Sequence, residues 1–83
     1  MSEADKLFET LGYKIETNES DLLEYKKQLD NCSKFIRIDL YNKTFTTFYY
    51  ILPETTAYLD MQELKAINLK CKELGWFEEW FNW

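Results

Sequence analysis

Phe35-Ile36-Arg37-Ile38-Asp39-Leu40-Tyr41-Asn42-Lys43-Thr44-Phe45-Thr46-Thr47-Phe48-Tyr49-Tyr50-Ile51-Leu52 is the stretch on which the fold turns. Ile36, Ile38 and Leu40 alternate with Phe35, Arg37 and Asp39, a period of two that belongs to a strand with one buried face. Residues 44–52 are rich in β-branched and aromatic side chains, which suit a pleated surface. Between the two runs, Tyr41-Asn42-Lys43-Thr44 reads as a tight turn, with Asn42 able to take a positive φ. A turn centred on Asn42-Lys43 pairs Leu40 with Phe45, Ile38 with Thr47 and Ile36 with Tyr49. Ile36, Ile38, Leu40, Phe45, Tyr49 and Ile51 then share one face. Phe35, Arg37, Asp39, Thr46, Phe48 and Tyr50 share the other. Pro53 ends the second strand.

Outward from this hairpin the period returns to that of a helix. Asp60 and Glu63 are spaced as a capping box, with Leu59 and Leu64 as the staple across it. Leu64, Ile67, Cys71 and Leu74 follow at i, i+3, i+7 and i+10, so a helix is predicted over 61–74. Near the N-terminus Ser2 is a candidate N-cap, and Ala4, Leu7, Phe8 and Leu11 form one apolar stripe on a helix over 2–11. Each helix ends in the same way, in Leu11-Gly12-Tyr13 and Leu74-Gly75-Trp76. Glycine just past a helix supplies the left-handed C′ conformation, and the following apolar residue packs back on the last turn. The glycines are punctuation, not a phosphate loop.

Two weaker strands fall between the first helix and the hairpin, at 13–16 and 21–29, with Leu23, Tyr25, Lys27 and Leu29 in phase. Thr17-Asn18-Glu19-Ser20 is the turn separating them. The expected fold is α+β in the order α-β-β-β-β-α: a four-stranded antiparallel meander with two helices packed on one face. The 83 residues make one domain of modest stability, with 76–83 as an aromatic C-terminal extension.

Composition narrows function mainly by exclusion. Histidine is absent, which removes the usual general base and the commonest metal ligand. Two cysteines alone make no common zinc site. Cys71, on the apolar helix face, is expected as a buried thiol. No metal, no cofactor and no enzymatic activity are expected. A net charge of −5 with a single arginine disfavours direct nucleic-acid binding, which needs a basic face. The first 30 residues hold eight acidic side chains against four lysines. Lysines interrupt that run, so mimicry of a phosphate backbone is a weak signal beside a solvated surface. No run of 18 apolar residues occurs and residues 1–12 are too polar for a signal peptide, so the expected location is cytoplasmic, off the membrane.

Two sets of residues are candidate contacts. Trp76-Phe77-Glu78-Glu79-Trp80-Phe81-Asn82-Trp83 gathers all three tryptophans and no basic residue. On a continuing helical turn Trp76, Trp80 and Trp83 share a face, with Phe77 and Phe81 beside it. Such rings serve the core, a sister subunit or a partner protein, and Trp76, Phe77, Glu78, Glu79, Trp80, Phe81 and Trp83 are the candidate partner-binding set. Core closure is the bland alternative. The second set, Phe35, Arg37, Phe48 and Tyr50, lies on the outer sheet face. Aromatics beside one arginine can stack a base and hold a phosphate, pair across strands, or form a dimer interface.

Ala4-Asp5-Lys6-Leu7-Phe8, Leu11-Gly12-Tyr13, Met61-Gln62-Glu63-Leu64-Lys65-Ala66-Ile67-Asn68 and Glu73-Leu74-Gly75-Trp76 resemble small proteins encoded by phages and prophages of Gram-positive bacteria. These stretches are helix-packing and capping positions, so no site residue carries over. The resemblance implies a setting: a small accessory protein in the host cytoplasm that counters host defence. The expected function is therefore non-enzymatic binding and inhibition of a host protein, with a defence nuclease such as a CRISPR effector as the first target to consider. The alternative is an oligomer that sequesters a small ligand such as a nucleotide signal on the outer face around Arg37.

Overall fold

The computed structural model describes residues 2–50 and 55–76. Helix α1 (Glu3–Thr10) leads into strands β1 (Tyr13–Asn18), β2 (Leu22–Gln28), β3 (Ser33–Asp39), β4 (Thr44–Tyr50) and β5 (Thr55–Thr56), and α2 (Met61–Glu73) follows. The strands lie side by side in chain order, each antiparallel to the next. The predicted four-stranded meander is present as β1–β4. The two-residue β5 on the edge of β4 is an addition that so short a segment did not announce.

Both helix starts follow from their caps. The Ser2 hydroxyl accepts from the Asp5 amide, and at α2 the Asp60 and Glu63 side chains each accept from the other's backbone. The two predicted C′ glycines take positive φ, 96° at Gly12 and 79° at Gly75. Past Gly12, Tyr13 packs edge-on against Phe8, with ring centroids 5.9 Å apart. Past Gly75, Trp76 turns into the core.

The hairpin register differs from the expected one by two residues. Ile38 faces Phe45, Ile36 faces Thr47 and Lys34 faces Tyr49. Asp39 is the cause: its Oδ1 accepts from the amides of Tyr41 and Asn42, and its Oδ2 from the Asn42 side chain. This widens the turn to residues 40–43 and moves the positive φ from Asn42 to Lys43. Leu40 thereby leaves the strand and packs half-buried beside the core. Because the slip is even, each strand residue keeps its predicted face. Ile51, the last residue expected on that face, lies outside the described residues.

The core joins Phe8 of α1, Ala66, Ile67 and Cys71 of α2, and Tyr13, Leu23, Tyr25, Ile36 and Ile38 of the sheet. Phe8 stacks on Tyr25 at 3.8 Å. Each fully buried side chain of this size contributes about 1.5–3 kcal/mol. Cys71 is buried, and burial raises its thiol pKa. Leu74, predicted to close the apolar stripe of α2, is instead exposed, and Glu63 and Ala66 take the buried face.

Two polar groups are built into this core. The Tyr13 hydroxyl donates to Glu63, and the Lys34 ammonium donates 2.8 Å bonds to both Glu63 oxygens. At the other end of α2, the Tyr25 hydroxyl donates to Asp5, which also pairs with Lys70 at 3.1 Å. Desolvation pushes both carboxyl pKa values up, but bonds from the tyrosines and lysines outweigh it and leave Glu63 and Asp5 below the ordinary range. Desolvation, together with the neighbouring carboxylate, raises both tyrosines. No buried polar side-chain atom is left without a partner among the described residues.

Candidate interaction surface

The helices cover the inner sheet face, and the outer face carries the second candidate set. Phe35 and Phe48 are directly opposed on β3 and β4 and stack with centroids 5.1 Å apart. Tyr50 meets Phe35 edge-on at 6.3 Å. The Arg37 guanidinium lies over the Phe48 ring at 4.7 Å, and Lys26 sits 5.9 Å from the Phe35 centroid. All four predicted residues are therefore brought together, in a row that reads Arg37, Phe48, Phe35, Tyr50.

Arg37 is also held by Glu24, whose Oε2 accepts from Arg37 Nε at 2.7 Å. This follows from β2–β3 pairing, which sets Glu24 opposite Arg37 and Lys26 opposite Phe35. Single-strand periodicity does not give that register, so it does not by itself bring Glu24 and Lys26 to the site. The signal for them was the phase of β2: Leu23, Tyr25 and Lys27 point inward, which sends Glu24 and Lys26 outward. The Glu24 side chain is 10% exposed and the Arg37 side chain 47%. The carboxylate lies beneath the arginine, and the guanidinium edge and Tyr50, itself 54% exposed, meet solvent.

Chemically, a row of this kind is suited to contact rather than to catalysis. Aromatic and arginine side chains held in place by their neighbours have little rotamer entropy left to lose on binding, and these types dominate interface hot spots. Glu24 disfavours a bound phosphate, because an anion at Arg37 would sit beside an existing carboxylate. Among the described residues no group of three or more Cys, Asp or Glu side chains is placed to hold a metal ion.

Of the candidate tail, Trp76 is described: it is 9% exposed and belongs to the core cluster. Phe77, Glu78, Glu79, Trp80, Phe81 and Trp83 lie outside the described residues. No helix among the described residues is long and apolar enough to cross a membrane. The chain matches no protein-family model, no curated protein and no solved structure in the comparisons made with each.

Proposed function

We propose that this chain is a non-enzymatic binding protein that acts by occupying a surface of another protein through its outer sheet face. The observation that carries the reading is the ordered row Arg37-Phe48-Phe35-Tyr50 on the face opposite the helices. Its arginine is braced by Glu24 and its outermost members are exposed. The host setting, with a defence nuclease such as a CRISPR effector as the first target to try, rests on the resemblance to small phage and prophage proteins. A cytoplasmic site of action belongs to that same setting. The small-ligand alternative uses the same four residues, and the Glu24 carboxylate at Arg37 weighs against an anionic nucleotide there.

The test is affinity capture from defence-bearing host cells with the intact chain and with an Arg37→Ala/Tyr50→Ala variant. A stoichiometric protein partner retained by the first and lost by the second is expected. Equal capture by both, or no partner and no effect on any defence system, contradicts the proposal.

A further inference from the structure

The outward side of α2 carries a groove that the core does not use. The helix turns Glu63, Ala66, Ile67 and Cys71 inward. On the opposite side, Met61, Leu64, Lys65, Asn68, Leu69 and Lys72 line one surface groove. Met61 is 75% exposed, and Leu64 and Leu69 are half-buried flanks. Lys65 and Lys72 are exposed at the groove and have no ion-pair partner among the described residues. The groove is thus an apolar strip with a lysine at each end, on a chain of net charge −5.

The occupant that fits such a strip has large apolar side chains interspersed with carboxylates. This chain carries one such segment, Phe77-Glu78-Glu79-Trp80-Phe81-Asn82-Trp83: four aromatics, two glutamates and no cation. We propose that the α2 groove of one copy receives residues 77–83 of a second copy, with Glu78 and Glu79 meeting Lys65 and Lys72. The exchange is reciprocal, giving a two-fold dimer in which each copy supplies one groove and one segment. A second copy suits the groove better than the chain's own segment. Trp76, to which that segment is joined, enters the core on the other side of α2.

The size is adequate for a stable pair. An aromatic side chain buries about 150–250 Å². Eight of them across two reciprocal contacts bring roughly 1,200–2,000 Å², within the range of specific protein interfaces. The charge pairs add orientation and partner choice more than raw affinity. This proposal is independent of the outer sheet face, which lies on the far side of the sheet from α2.

Sedimentation velocity on the full chain over a wide concentration range tests it, with circular dichroism confirming the fold of each variant. The intact chain is expected to dimerise. Lys65→Glu/Lys72→Glu and, separately, Glu78→Lys/Glu79→Lys should each weaken the dimer by about tenfold or more, since each sets like charges face to face. Combining all four substitutions should restore it. An intact chain that is monomeric throughout, a dimer indifferent to either reversal, or a combined variant that stays as weak as its parents overturns the proposal.

Discussion

The inner and outer faces of the sheet carry the same chemical parts under opposite conditions. Inside, Lys34 pairs with Glu63 and both side chains are nearly sealed, at 10% and 5% exposure. Outside, Arg37 pairs with Glu24 at a similar distance, but the arginine is about half open to water. Each pair sits beside aromatic rings: Tyr13 and Tyr49 inside, Phe48 and Phe35 outside. Burial decides what each group does. A sealed ion pair cannot be broken without stranding a charge, so the inner group specifies how α2 seats on the sheet. A half-open pair costs little to rearrange, so the outer one is free for contact.

The largest expected effect is at Glu63. Glu63→Ala strands the Lys34 ammonium, leaves the Tyr13 hydroxyl without its acceptor and deletes half of the α2 capping box. Urea denaturation should show a loss of about 3–5 kcal/mol, most of the margin of a domain this small. Replacing the pair together, Lys34→Met with Glu63→Leu, should recover much of that loss, because matched apolar groups leave no charge behind. If the double variant is no better than Glu63→Ala, the cost lies in the cap and the Tyr13 hydroxyl and not in the sealed pair.

The inner carboxylates make stability depend on acid pH. The folded pKa values of Glu63 and Asp5 lie below those of the unfolded chain, so their contribution is present at neutral pH. It fades as pH falls below about 4 and through the folded values, since the unfolded chain takes up protons first. Thermal melting from pH 7 down to pH 2 should show a midpoint that drops across this window. Glu63→Gln should flatten part of the drop. A profile unchanged by that substitution would assign the acid sensitivity to other carboxylates.

Much of the fold was legible from the sequence, and the illegible parts have definite causes. The switch of period from 3.6 to 2 and back, and the two Leu-Gly-aromatic endings, placed both helices and four strands. Asn42-Lys43 resembled a two-residue turn, but the Asp39 side chain organised a wider one, and side-chain capping of that kind is invisible to periodicity. Lys34 is in phase with Ile36 and Ile38, so its inward direction was readable. Its partner was hidden because the capping role of Glu63 already explained that residue. On the outer face the phase alone placed Phe35, Arg37, Phe48 and Tyr50 together, whereas Glu24 needed the β2–β3 register.

Smaller effects sharpen the outer half of the comparison. Arg37→Ala should cost about 1 kcal/mol or less in urea, the scale of an open ion pair, while removing most partner capture. Tyr50→Ala, at an exposed position, should change stability by no more than about 0.5 kcal/mol and still weaken capture. A stability loss at Arg37 as large as that at Glu63 would erase the distinction between the faces.

Paired double-mutant cycles measured by urea denaturation test the central claim most directly. One cycle combines Lys34→Met with Glu63→Gln, and the other Arg37→Met with Glu24→Gln. The sealed pair should show a coupling energy of about 2–3 kcal/mol and the open pair about 0.5 kcal/mol. Equal couplings, or a larger one on the outer face, would contradict the account that burial assigns one ion pair to the fold and frees the other for binding.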